Sequence, residues 1–136
     1  MFTCTQLDHG FGLEMNTDLT NVDRCVELIT LFLQERGAAD HLFPLSLLAR
    51  EALNNAMVHG NRLDPAKTVR FRLMALGEGF EMSVEDEGEG FEWGQRLQAS
   101  SNVDDVSGRG HEIFRNYAKS VRYNPKGNAL TLEYRG

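Results

Sequence analysis

Apolar residues recur at helical spacing, three or four positions apart, in the first half of the chain. One such stretch predicts a helix from about Thr20 to Gly37, capped by Thr20 or Asn21. A second stretch, 44–59, is apolar over most of a helical circumference, which is typical of a buried helix. A third, shorter helix is expected at roughly 111–119. The pattern therefore predicts three helices, of which the second is buried.

Elsewhere apolar and polar residues alternate, which is the period of a strand with one buried face. The segments that read as strands are 1–7, 11–15, 69–75, 80–86, 120–123 and 129–134. A tight glycine turn at 77–79 joins two of them and favours an antiparallel hairpin. We expect a single domain over 1–136 with an α+β fold. It would be a two-layer sandwich with helices on one face of a mixed, mainly antiparallel sheet.

Composition excludes several classes of protein. The 136 residues carry a formal net charge of −6, which argues against binding of nucleic acid, because phosphate backbones require a basic surface. No stretch reaches the roughly 20 apolar residues of a membrane span, and the N-terminal segment does not have the pattern of a signal peptide. We therefore expect a cytoplasmic protein. Cys4 and Cys25 lack ligand spacing and are expected to be free thiols, with Cys25 in the core.

Asp86 is the most informative candidate site residue. Alternation along its strand places the carboxylate on the same face as Phe80, Met82 and Val84, beneath the expected helices. A buried carboxylate without a donor is costly, so a group must donate to it. One interpretation is a capped turn, in which the backbone N–H of Gly88 donates to Asp86. The other is a nucleotide site, in which the exocyclic amino group of adenine donates to it.

Glu51 and Asn55 lie four positions apart on the second helix, so their side chains share one face. They could belong to a solvated edge of the helix, although the surrounding alanines and leucines weaken that interpretation. Alternatively, the Asn55 side-chain oxygen could bind Mg²⁺ that also contacts phosphates. Glu51 could then orient or deprotonate an attacking hydroxyl. Asn54 points about 100° away around the helix and is a poorer ligand candidate.

A glycine-rich segment, Ser107-Gly108-Arg109-Gly110, opens the third predicted helix. Helix N-termini bind phosphates readily, because their N–H groups are unpaired and the dipole is positive there. Arg109 could add a charged donor, or the segment could simply be a flexible hinge with a surface arginine. The preceding stretch, 91–107, has no clear periodicity, and we expect a lid over a ligand site.

Taken in order, these motifs resemble the three conserved boxes of the ATPase superfamily shared by gyrase, histidine kinases and mismatch-repair MutL. The matching residues are Glu51, Asn55-Ala56 and His59-Gly60, then Asp86-x-Gly88-x-Gly90-Phe91, then Gly108-x-Gly110. The short length and the first box are most similar to the small bacterial anti-sigma-factor serine protein kinases. The resemblance covers roughly 11–134 and implies the histidine-kinase-like ATPase fold.

The resemblance also implies roles for individual residues. Glu51 would be the general base for a serine hydroxyl, and Asn55 would hold Mg²⁺. Asp86 would bind the adenine amino group, and Gly88 with Gly90 would shape the base pocket. The segment from Gly108 through Arg109 to Gly110 would bind the phosphates of ATP, with 91–107 as the ATP lid.

Partners follow from the same resemblance. Such proteins are typically homodimers that bind a sigma factor in one state and phosphorylate a small anti-sigma-factor antagonist in another, without direct contact to nucleic acid or membrane. Two positions depart from the family pattern. His111 stands where an apolar residue is common, and Asn128 stands where the family often has threonine after glycine. The second departure would remove a hydroxyl near adenine.

Two other functions remain open at this point. One is a non-catalytic regulator that uses ATP only as a conformational ligand; retention of Glu51 favours the kinase over it. The other is a detached histidine-kinase-like ATPase domain, which requires a phosphoacceptor histidine on an upstream dimerisation helix, for which we expect no room.

Overall fold

A computed structural model describes residues 1–89 and 106–136 of the chain; within the second range, side chains are described from residue 112 onwards. The strands are β1 (Phe2–Leu7), β2 (Gly10–Asn16), β3 (Thr68–Leu76), β4 (Gly79–Asp86), β5 (Ser120–Tyr123) and β6 (Ala129–Arg135). The helices are α1 (Thr20–Glu35), α2 (Leu42–Asn54) and α3 (Val106–Tyr117). A short 3₁₀ turn, Ala39–His41, precedes α2, and a π-helical turn, Asn55–Gly60, extends it.

The strands form one six-stranded sheet in the order β1-β2-β3-β4-β6-β5. Every pairing in this sheet is antiparallel. This confirms the α+β sandwich, although the parallel pair implied by a mixed sheet does not occur among the described strands. The physical reason is that β5 and β6 form their own hairpin, whose second strand returns beside β4 in the antiparallel direction.

The helices cover one face of the sheet, and the alternating apolar residues of the strands pack against them. The largest fully buried side chains come from both layers: Met15, Phe71, Leu73, Met82 and Leu132 from the sheet, and Ile29, Leu33, Leu45, Leu48, Leu53 and Met57 from the helical segments. Cys25 is also buried in this core and Cys4 is exposed; both are free thiols, as predicted.

Two helix starts differ from the prediction. Neither Thr20 nor Asn21 caps α1: the N-cap residue is Leu19, whose side chain makes no capping hydrogen bond, and the side chain of Asp18 bonds to Thr20 instead. Asp18 Oδ1 accepts hydrogen bonds from Thr20 N at 2.9 Å and from Thr20 Oγ1 at 2.7 Å. These bonds hold the pKa of Asp18 below its usual value. Helix α3 begins at Val106, before the expected start near residue 111.

Within the described residues, no helix is both long enough and apolar enough to cross a membrane.

Candidate nucleotide site

Asp86 is the last residue of β4 and lies opposite Val69 of β3, so its side chain faces the helical layer. The residue is buried, with 8% of its surface exposed. Its Oδ1 accepts a hydrogen bond from Gly88 N at 2.7 Å. The burial predicted from alternation is therefore confirmed. The Gly88 contact matches the capped-turn interpretation, and burial within a crevice matches the nucleotide interpretation.

Burial raises the pKa of Asp86 to about 6, while the hydrogen bond from Gly88 lowers it. The neighbouring carboxylate of Glu85 raises the pKa further, and Lys126 and Lys67 partly oppose this. Asp86 is therefore mainly ionised at neutral pH, although its charge is poorly solvated. A donor from a ligand, such as an exocyclic amino group, would compensate for this desolvation.

Asp86 lies in a narrow crevice between the end of α2 and the β5–β6 hairpin. The crevice is lined by Ala52, Asn55, Ala56, Val84, Asp86, Tyr123, Gly127, Asn128, Ala129 and Leu130. Apolar walls with a few polar groups suit a planar heteroaromatic base. The volume of the crevice is only about 20 Å³, close to the space that one water needs. A purine ring therefore requires the crevice to widen.

Asn55 is the first residue of the π-helical turn that extends α2. Such turns are rare and occur often at functional sites. Asn55 is half-buried and shares the crevice with Asp86, whereas Asn54 is exposed and does not line the crevice. Glu51 lies one turn earlier, is half-buried, and does not line the crevice. Burial raises the pKa of the Glu51 carboxyl above its usual value.

The glycines at 60 and 88 allow the end of α2 to pack directly against the loop after β4. A Cβ on Gly88 would overlap the carbonyl oxygen of Gly60, and a Cβ on Gly60 would overlap the Asp86 carboxylate. The sequence alone suggests that residue 88 is glycine because a side chain there would block the approach of a base. The structure shows an additional reason, because this loop could not approach the helix with any side chain at 88.

Gly88→Ala is expected to destabilise the fold by about 1–3 kcal/mol, the usual cost of inserting a methyl group into closely packed structure. Gly12→Ala is the matched control, because its Cβ would find only ordinary contacts at 3.8 Å. We expect that control to remain within about 1 kcal/mol of the wild type. Denaturant unfolding measures both free energies. Equal stability of the two variants would contradict the close packing of Gly88.

Asn61 is a residue of this site that sequence reasoning missed. It is fully buried, and its Nδ2 donates to Thr17 Oγ1 at 2.9 Å and to Thr68 O at 3.0 Å. Its Oδ1 accepts from Glu87 N at 2.8 Å. Asn61 therefore fixes the loop after β4 relative to β3 and the end of α2. The only sequence signal at Asn61 is its position at the predicted end of the second helix, and a helix end does not by itself predict a buried side chain.

Asn128 holds the backbone of Asp86 on both sides. Its carbonyl oxygen accepts from Asp86 N, and its Nδ2 donates to Asp86 O, each at 2.9 Å. Asn124 holds Asn128 in turn. Asn124 Nδ2 donates to Asn128 Oδ1 at 2.7 Å, and its Oδ1 accepts from the N–H groups of Gly127, Asn128 and Ala129. Asn128, which stands where the family often has threonine, therefore helps to position Asp86, the candidate acceptor for the adenine amino group.

The remaining predicted site residues are less fully described. Gly90 and most of the predicted lid, 91–107, lie outside the described residues. Gly108, Arg109 and Gly110 lie inside the first turns of α3, not in a loop before it, because the helix begins at Val106. Their backbone is therefore close to a helix N-terminus, where phosphate binding is favourable.

A magnesium ion at this site would need few ligands from the protein. No group of three or more His, Cys, Asp or Glu side chains is arranged for a metal within the described part of the chain. Mg²⁺ that is bound with a nucleotide takes most of its ligands from phosphate oxygens and water. The amide oxygen of Asn55 would be sufficient as a protein ligand of that kind.

The model of one protein family, described as the histidine kinase-like ATPase domain, matches residues 15–134. The match spans nearly the whole chain, from the end of β2 through every later described element to the last residues of β6. The chain therefore belongs to the histidine kinase-like ATPase domain family, which is consistent with ATP binding. No curated protein matches the chain.

Proposed function

We propose that this protein is an ATP-dependent serine/threonine protein kinase that acts as an anti-sigma factor and phosphorylates a small anti-sigma-factor antagonist. The observation that carries the proposal is the arrangement of Asp86 and Asn55 in one crevice, with the half-buried Glu51 one turn away. This arrangement offers an acceptor for the base, a ligand for the metal and a carboxylate outside the base pocket. A kinase needs a site for the base, a metal ion at the phosphates and a group near the acceptor hydroxyl.

ATP would bind as a substrate, with its adenine amino group donating to Asp86 and its phosphates near the N-terminus of α3. Gly90, Gly108, Arg109 and Gly110 complete the proposed phosphate and base contacts. Asn55 would hold Mg²⁺, which neutralises phosphate charge during transfer. The fit to adenine is supported by the apolar crevice walls and by the poorly solvated carboxylate of Asp86.

Glu51 would accept the proton of a serine hydroxyl on the antagonist protein. The serine oxygen forms a bond to the γ-phosphorus, the bond from this phosphorus to the bridging oxygen breaks, and ADP leaves with that oxygen. The raised pKa of Glu51 supports this role, because a base is more effective when its pKa lies nearer the working pH.

A non-catalytic regulator that uses ATP only as a conformational ligand is the second candidate. The exclusion of Glu51 from the crevice favours it, because the described contacts do not connect this carboxylate with the other site residues. Both candidates predict binding of Mg-ATP and of a partner protein, and they differ only in phosphate transfer.

The test is transfer of radiolabelled γ-phosphate from ATP to candidate antagonist proteins encoded beside this one. The proposal expects Mg²⁺-dependent label on a single serine or threonine of one antagonist, and no label when that residue is alanine. Binding of ATP and partner without any transfer would favour the non-catalytic regulator. We propose a sigma factor as the second partner and a homodimer as the working form, as the family resemblance implies.

A further inference from the structure

One wall of the crevice that contains Asp86 is formed by the β5–β6 hairpin, and Tyr123 is part of that wall. Tyr123 lies directly opposite Leu130 of β6, and Leu130 lies opposite Val84 of β4. Directly opposed residues of an antiparallel pair share one face of the sheet. Leu130 and Val84 are buried in the core, so the Tyr123 side chain also faces the helical layer.

Four of the described residues that line the crevice have polar side chains: Asn55, Asp86, Tyr123 and Asn128. The Asn128 amide is used at both ends, because its Nδ2 donates to Asp86 O and its Oδ1 accepts from Asn124. Asn55 carries the oxygen proposed for Mg²⁺, and Asp86 is an acceptor while it is ionised. Among these four, the Tyr123 hydroxyl is therefore the group best suited to donate a hydrogen bond to a bound base.

Tyr123 and Asp86 have opposite hydrogen-bonding roles at neutral pH. Burial raises the pKa of the Tyr123 hydroxyl above its usual value, so the phenol keeps its proton and can donate. The pKa of Asp86 is about 6, so its carboxylate is mainly ionised and accepts. Adenine presents the complementary pair, because its amino group is a donor and the ring nitrogen beside that group is an acceptor.

We propose that the Tyr123 hydroxyl donates a hydrogen bond to a ring nitrogen of adenine beside the amino group, either N1 or N7, while Asp86 accepts from the amino group itself. Tyr123 is then a second determinant of base binding, on a different strand from the first. A few such polar groups fix the orientation of a ligand in an apolar site. The inference deepens the proposed function and rests on ATP binding in this crevice.

The register of the sheet lets Tyr123 and Asp86 approach a base from different directions. Tyr123 is two strands away from Val84, and Asp86 follows Val84 by two residues on the same face. Neighbouring strands lie about 4.8 Å apart and a strand rises about 3.3 Å per residue, so the Cα atoms of Tyr123 and Asp86 are roughly 12 Å apart. The long phenol and the short carboxylate therefore reach the crevice from opposite sides, and a base that widens the crevice contacts both.

Tyr123→Phe keeps the ring and removes only the hydroxyl. We expect the Kd for Mg-ATP to rise about 2- to 12-fold, the usual scale for one hydrogen bond. Tyr134→Phe is the matched control, because it removes the same group from a buried tyrosine outside the crevice, where the hydroxyl is hydrogen-bonded to His41 Nδ1 at 2.9 Å. Its Kd should equal that of the wild type. Calorimetric titration measures these constants, and denaturant unfolding verifies that both variants are folded.

The contact itself is tested with two ATP analogues, 1-deaza-ATP and 7-deaza-ATP, each of which has C–H in place of one ring nitrogen. The wild type should bind one of them about 2- to 12-fold more weakly than ATP. Tyr123→Phe should bind that analogue and ATP equally well, because the donor for that nitrogen is absent. A thermodynamic cycle of this kind isolates the interaction between two groups.

Four results would overturn the base contact and leave the proposed function intact. They are an unchanged Kd for ATP in Tyr123→Phe, an equal rise in Tyr134→Phe, wild-type affinity that neither analogue lowers, and a loss for an analogue that is as large in Tyr123→Phe as in the wild type. A wild-type protein that does not bind Mg-ATP would instead overturn the proposed function itself, and this inference with it.

Discussion

Glu51→Gln is expected to lower phosphate transfer to the antagonist by roughly 10²–10⁴-fold, the usual scale for loss of a general base. The amide is nearly isosteric with the carboxylate, and Glu51 does not line the crevice that contains Asp86. Binding of Mg-ATP and the free energy of unfolding should therefore change little. Single-turnover transfer assays and calorimetry measure the two properties separately.

Glu27→Gln on α1 is the matched control for Glu51→Gln, because Glu27 is exposed on a helix and loses the same charge. We expect its transfer rate to equal that of the wild type. The pH profile adds a second criterion. Because burial raises the pKa of Glu51, wild-type transfer should decrease in acid with a midpoint above the usual glutamate value, and the variant should lack this limb. Full transfer activity in Glu51→Gln would refute the mechanism.

Asp86→Asn is expected to have opposite effects on ligand binding and on stability. An amide nitrogen in place of a carboxylate oxygen would oppose the adenine amino group with a second donor. We expect a loss of about 1–3 kcal/mol of ATP binding free energy, which is roughly a 5- to 150-fold rise in Kd. Calorimetric titration with ATP measures it. Unchanged affinity would remove Asp86 from the base site.

The protein without nucleotide should become more stable in the same variant. The pKa of Asp86 is about 6 in the fold, above its ordinary value of 3.8. The unfolded chain therefore loses this proton at a lower pH than the fold does, and stability decreases as pH rises between these values. We expect Asp86→Asn to exceed the wild type by about 1–3 kcal/mol above pH 6.

That stability difference should fall below about 1 kcal/mol at pH 4 and vanish at lower pH, because Asp86 is then protonated in the fold and only partly ionised in the unfolded chain. Asp40→Asn, an exposed substitution in the turn before α2, is the control, because surface substitutions usually change stability by no more than about 0.5 kcal/mol. Denaturant unfolding from pH 4 to pH 8 measures the difference. A wild-type protein that is more stable than Asp86→Asn at neutral pH would show that the fold already compensates the charge.

The sequence by itself determined which faces hold the candidate site residues. Side chains in a strand alternate with a period of two, so the apolar residues of β4 also fixed the buried face of Asp86. A helix turns through about 100° per residue, so the positions of Glu51 and Asn55 on one face, with Asn54 outside it, followed from spacing. The same local periods gave the α+β sandwich and its three helices.

Only the tertiary structure decided which backbones meet at the site. Three sets of contacts at the site join segments that are far apart in the chain. Gly88 packs against Gly60, Asn61 hydrogen-bonds to β3 and to the loop after β4, and the Asn128 side chain hydrogen-bonds to the backbone of Asp86. The all-antiparallel order of the sheet and the early start of α3 have the same origin. Local patterns report which face of an element is buried, whereas its neighbours depend on how all elements pack together.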